Sequence, residues 1–126
     1  MSVLLDTQAF LWWVADDARL SKRARATIAL ERCVLSIASC WEIGIKASLG
    51  KLEVPRPLHR FLQEQLEVNG FSLLPISLDH AAGVSALPFQ HQDPFDRLIA
   101  VQARTEGLAI VSSDTIFTRY GIKRIW

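Results

Sequence analysis

The chain has 126 residues, half of them hydrophobic and 21% charged, with fourteen Lys and Arg against thirteen Asp and Glu. That length suits one domain with a real core, so residues 1–126 are read as a single unit, and without repeats or Pro-, Gly- or Ser-rich tracts the solenoid and disordered classes fall away. A formal charge of +1 gives no strong whole-molecule pull on a polyanion, so any contact with nucleic acid has to be local.

The N-terminal "MSVLLDTQAFLWWVADD" lacks a basic lead-in and is broken by Asp6, which fits neither a signal peptide nor a membrane span; the cytoplasm is the expected location. "SVLL" is a continuous apolar run, the pattern of a strand buried on both faces in a parallel sheet. A helix is predicted from about residue 7. "CVLS" (33–36) is a second strand, followed by a helix over about 37–49 that Gly50 can close. A third helix runs from Pro57 to about 68 and stops at "NG".

"FSLLPIS" reads as a strand, "DHAAGVSAL" as a short helix and "PFDRLIAVQARTE" as a longer one closed by Gly107. "LAIVSS" is the clearest buried strand; a helical turn over 115–119 then leads through Gly121 to "IKRIW", whose basic residues suit an edge strand. Strands alternating with helices predict an α/β/α sandwich around a mainly parallel sheet. Cys33 and Cys40 have no zinc-ligand spacing and are assigned to the core. Trp12, Trp13 and Trp41 are assigned to packing, and the basic groups Arg19, Lys22, Arg23, Arg25 and Arg119, Lys123, Arg124 to solvated surface or local phosphate contacts.

In open parallel sheets ligands bind beyond the carboxyl ends of the strands. Asp6 ends "SVLLD" and Asp114 ends "IVSSD"; each also reads as a cap of the helix that follows. Glu42 fits a capping box with Ser39 and an i, i+4 pair with Lys46, yet it shares a helix face with Ala38, Ile45 and Leu49. Asp93, ahead of Pro94, is an N-cap. Asp96 shares its face with Ile99, Ala100 and Ala103, with Arg97 and Arg104 on another, where a mere cap would face water. Four carboxylates gathered at one partly buried site repel unless a cation neutralises them, and an oxygen-only set suits a hard ion, Mg²⁺ or Mn²⁺.

At these residues the sequence resembles a PIN domain, and specifically the VapC toxins of type II toxin-antitoxin modules. "LLDTQAFLWWV", "SIASCWEIGIKASLGKL", "HQDPFDRLIAVQA" and "IVSSDTIFTRYGIKRIW" match the family's successive motifs in order along the whole chain. The resemblance implies Asp6, Glu42, Asp96 and Asp114 as the acidic quartet, Asp6 and Asp96 as direct metal ligands, and Glu42 and Asp114 as the rest of the site. Thr7 and Ser113, beside the first and fourth acids, are candidate helpers through their hydroxyls. Gln92 stands where close relatives often carry a basic residue. The resemblance further implies Mg²⁺- or Mn²⁺-dependent endoribonuclease activity on RNA, homodimerisation and inhibition by a VapB-type antitoxin.

Two other readings share the fold class. A receiver-like signalling domain also places acids at strand ends, but here the first strand ends in a single acid and no late strand ends in a lysine. A PIN-like domain that binds RNA or a partner without turnover is the other; all four acids are present, so nothing marks the site as dead. No P-loop, nucleophile elbow or GxGxxG occurs, and His59, His80 and His91 have no ligand spacing. His91 is given a structural or surface role. The Phe61, Leu62 and Leu66 face either packs internally or accepts an antitoxin helix.

Overall fold

A computed structural model describes residues 1–126. Its centre is one sheet of five strands, β1 (Ser2–Leu5), β2 (Arg32–Ser36), β3 (Ser72–Leu74), β4 (Ala109–Val111) and β5 (Arg124–Ile125), in the order β3-β2-β1-β4-β5. Every neighbouring pair is parallel, so the sheet is wholly rather than mainly parallel. Around it lie α1 (Thr7–Val14), α2 (Lys22–Leu30), α3 (Ile37–Ser48), α4 (Leu58–Asn69), α5 (Leu78–Gly83), α6 (Pro94–Glu106) and α7 (Ile116–Arg119). No helix is long and apolar enough to cross a membrane.

The two-residue period of the strands divides the core. Val3 and Leu5 of β1, with Ala109 and Val111 of β4, face Ala9 and Phe10 of α1, Ala24 and Ile28 of α2 and the Leu58, Leu62 and Leu66 row of α4. Leu4 and Ile110 point the other way, to Ile99, Ala100 and Ala103 of α6 and Phe117 of α7. These are the two outer layers of an α/β/α sandwich. Leu62 and Leu66, half-buried, pack against this core, the internal alternative for their face.

Several details differ from the sequence reading. Helix α2 was not anticipated: "KRARATIAL" presents only Ala24 and Ile28 as buried residues, and the polar side chains hide its period. The N-cap of α3 is Ser36, whose Oγ accepts from the Ala38 amide at 3.0 Å; Ser39 lies inside the helix, so the Ser39–Glu42 capping box does not form. Leu49, at the far end of the expected apolar stripe, is exposed, because α3 has ended before it reaches the core.

Trp41 is likewise exposed rather than packed in the core, meeting the Phe95 ring edge-on at 5.4 Å. Trp13 donates to Asn69 Oδ1 at 3.0 Å and packs near Phe71, while Trp12 lies between Trp126 and Arg19. Cys33 is buried and Cys40 half-buried, both free thiols. Burial raises both thiol pKa values, that of Cys33 to about 11, which leaves them poor nucleophiles.

Candidate active site

The chain leaves β1 at Asp6 and β4 at Ser112, and the register that pairs Leu5 with Val111 sets those next residues side by side. Asp6 is buried at the N-cap of α1; Oδ1 accepts from the Ala9 amide at 2.7 Å and Oδ2 from the Ser112 hydroxyl. Ser112 Oγ also accepts from the Asp114 amide at 3.0 Å, and Asp114 Oδ1 accepts from the Ile116 amide at 2.9 Å. One hydroxyl thus ties the first acid to the fourth.

Glu42 enters from the first half of α3, buried, with Oε1 accepting from Thr7 Oγ1 at 2.6 Å and Oε2 from Lys46 Nζ at 2.6 Å. Asp96 comes from α6. The capping of that helix falls to Asp93, whose Oδ1 accepts from the Phe95 and Asp96 amides at 2.9 and 3.1 Å. The Asp96 carboxylate makes no backbone bond, and its one polar partner is His91 Nε2, 3.4 Å from Oδ2. A residue on a first turn that takes no part in capping is free for another task.

Asp6, Glu42, Asp93, Asp96 and Asp114, with Lys46 and Lys51 among them, line one cavity of about 440 Å³. All four acids of the expected quartet are therefore together, and Thr7 touches one of them. Ser113 lines the same cavity but its hydroxyl bonds to none of the acids; its buried neighbour Ser112 grips Asp6 instead. Gln92 is exposed. Arg97, expected on an outer face, is buried, donating to the Val84, Leu87 and Pro88 carbonyls and to Tyr120.

Burial is the main force on the two central acids. It pushes Asp6 up to about 6 against the lowering effect of Ser112 and Ala9, with Asp114 and Glu42 adding repulsion. Asp96 rises to about 7, by burial first and then by the charges of Asp93, Asp114, Asp6 and Glu42. Lys46 is held above the usual lysine value by its bond to Glu42. The site is thus short of positive charge.

The sequence pattern of the PIN domain matches residues 3–123. Ribonuclease VapC22 of Mycobacterium tuberculosis is 31% identical over 116 residues, covering 90% of this chain and 87% of its own. The chain is a PIN domain of the VapC type. Ribonuclease VapC16 of the same organism is 38% identical over 68 residues, and there the match spans only 47% of the relative. The fold is shared with VapBC2 from Rickettsia felis bound to a promoter DNA fragment (TM-score 0.70, 14% identity, 98% and 97% of the two chains). It is shared too with DNA-bound VapBC from Salmonella typhimurium (TM-score 0.65, 19% identity, 98% and 96%).

Whether this PIN domain suits a metal ion is a matter of donor chemistry and space. The cavity offers carboxylate oxygens in excess of cationic side chains, the donor set of a hard ion. No three of the acids close on a single point, so the fit rests on the donor chemistry of the cavity and not on a preformed ligand cage. The residues present fit such a group. Ser112, Lys46 and Lys51 are the members that the sequence reading does not place in the site; the Glu42–Lys46 spacing is the sequence signal for Lys46, whereas Ser112 is brought in by the parallel register of β1 and β4.

Proposed function

We propose that this PIN domain is a metal-dependent endoribonuclease, the toxin of a type II toxin-antitoxin module, restrained by a VapB-type antitoxin and working as a homodimer in the cytoplasm. The observation that carries the reading is the Asp96 carboxylate, relieved of capping by Asp93 and set among three further acids in one cavity. The names of the VapC relatives, both ribonucleases, supply the substrate class. The VapBC complexes of the same fold support the antitoxin. The exposed Trp41 of α3, edge-on to Phe95, and the exposed Ile37 one turn before it offer a homodimer an apolar surface.

Asp6 and Asp96 are the direct ligands in this reading, with Glu42 and Asp114 completing the set. A divalent ion held by these residues would supply polarisation of the scissile phosphate and a lower pKa for the attacking water. The chain's own groups orient and balance charge: Thr7 and Lys46 hold the two oxygens of Glu42, and Ser112 holds Asp6. Lys46 and Lys51, at the cavity wall, provide cationic contacts for the phosphate backbone.

Asp96→Asn tests the proposal. Purified wild type is expected to cleave RNA with Mg²⁺ or Mn²⁺ and to stop in excess chelator, while Asp96→Asn loses cleavage and keeps the wild-type circular dichroism spectrum. Cleavage that persists in chelator, or in the variant, would overturn the assignment.

A further inference from the structure

The motif "HQDPFDR" folds back on itself through a residue far away in sequence. Tyr120, just past α7, is buried, and its hydroxyl lies between Arg97 Nη1 at 3.2 Å and His91 Nδ1 at 2.7 Å. The other ring nitrogen of His91, Nε2, faces Asp96 Oδ2 at 3.4 Å. Arg97 has no freedom to turn away: its Nη1 and Nη2 also donate to the Pro88, Val84 and Leu87 carbonyls, and its guanidinium lies 4.5 Å from the Phe89 ring centroid.

An arginine only donates, so the Tyr120 oxygen accepts from Arg97. The hydroxyl proton then has one remaining neighbour, His91 Nδ1, which accepts it. A neutral imidazole that accepts at Nδ1 carries its own proton at Nε2, the nitrogen aimed at Asp96. The opposite tautomer would bring two donors to the Tyr120 oxygen, strand its hydroxyl proton and turn a lone pair toward a carboxylate. The direction of every hydrogen bond in the chain is therefore set by the buried Arg97.

We propose that Arg97 and Tyr120 lock His91 in the Nε2–H tautomer, making His91 the positioning residue that holds Asp96 Oδ2 and so fixes the orientation of the carboxylate at the cavity wall. This rests on the reading of Asp96 as a metal ligand. The arrangement is the familiar one in which a group behind a ligand fixes its orientation, here with a histidine supporting a carboxylate rather than the reverse.

Histidine ¹⁵N resonances of the metal-free protein, recorded above the imidazole pKa, test the lock without RNA or activity. His91, assigned by its disappearance in His91→Gln, is expected as the Nε2–H tautomer in the wild type and as a tautomer mixture in Tyr120→Phe. An Nδ1–H wild type overturns the proposal.

Mn²⁺ affinity by electron paramagnetic resonance tests the consequence. His91→Ala and Tyr120→Phe are each expected to bind about 10-fold more weakly, and the double variant no more weakly than His91→Ala. His91→Gln, whose amide nitrogen can reach Asp96, is expected to recover most of the loss. Wild-type affinity in His91→Ala, or additive losses in the double variant, overturns the positioning role. A wild type that binds no Mn²⁺ is a different result, which overturns the metal site and this proposal with it.

Discussion

The Ser112 hydroxyl faces two acids at once, donating to Asp6 and accepting from the Asp114 amide. Its bond is the largest influence holding the buried Asp6 down against desolvation. Ser112→Ala is therefore expected to raise the Asp6 pKa above about 6, and to cost roughly 1–3 kcal/mol by leaving the buried Asp6 Oδ2 without its donor and the Asp114 amide without its acceptor. An NMR titration of Asp6 in the metal-free variant should show that rise, and the thermal midpoint should fall; an unmoved Asp6 pKa would mean that the Ser112 hydroxyl does not hold the carboxylate down. The sequence reading names Asp6, Asp114 and Ser113, which lines the cavity, but not Ser112, which bonds to Asp6. Either hydroxyl of "SSD" fits a helper role, and only the pairing of Leu5 with Val111 decides that the residue following Val111 meets the one following Leu5.

Helix α6 divides between two aspartates the work that a single cap would do. Asp93 bonds to the first free amides, while its charge is the second largest cause of the raised Asp96 pKa. The two contributions separate by substitution, because Asn caps as well as Asp and Ala does not. Asp93→Ala is expected to lose about 1 kcal/mol of stability, whereas Asp93→Asn should melt at or above the wild type near neutral pH. In both, an NMR titration of Asp96 should give a pKa below that of the wild type. Equal melting of the Ala and Asn variants would argue that the cap contributes nothing. This helix was legible because its signals agree: Asp93 and Pro94 at the start, a clean apolar period, and Gly107 with φ +66° at the end. Helix α2 is not, since Ala24 and Ile28 alone carry its buried face and the rest mixes Lys22, Arg23, Arg25 and Thr27 with small alanines and an exposed Leu30. Arg97 escaped for a related reason. A cation on α6 belongs in solvent unless the carbonyls of the 84–88 segment surround it, and those carbonyls are tertiary neighbours that no helical period reports.

At the scale of the whole molecule, the order β3-β2-β1-β4-β5 sends the chain outward from β1 in one direction and then returns it to β4 on the other side. The crevice at that reversal is where open parallel sheets place their ligands, and Asp6 and Asp114 follow the two strands that form it. Concentrating carboxylates there costs stability in a pH-dependent way. Asp6 and Asp96 have folded pKa values of about 6 and about 7 against a usual 3.8, so between those limits the folded state binds more protons than the unfolded one, and stability falls as pH rises. Below about pH 4 both states are protonated and the penalty vanishes; above about pH 7 it is complete. Metal-free protein is therefore expected to show a midpoint that falls across that range, with a shallower slope in Asp96→Asn. A divalent ion that binds only the ionised, folded site opposes the loss, by about 2.7 kcal/mol at a hundred times its Kd. Calorimetry near pH 8 should accordingly show a rise in midpoint with millimolar Mn²⁺ in the wild type and a smaller rise in Asp6→Asn, whose Asn still caps α1. An equal rise in both proteins would remove Asp6 from the ion's ligands and leave the penalty at this sheet edge without its balancing cation.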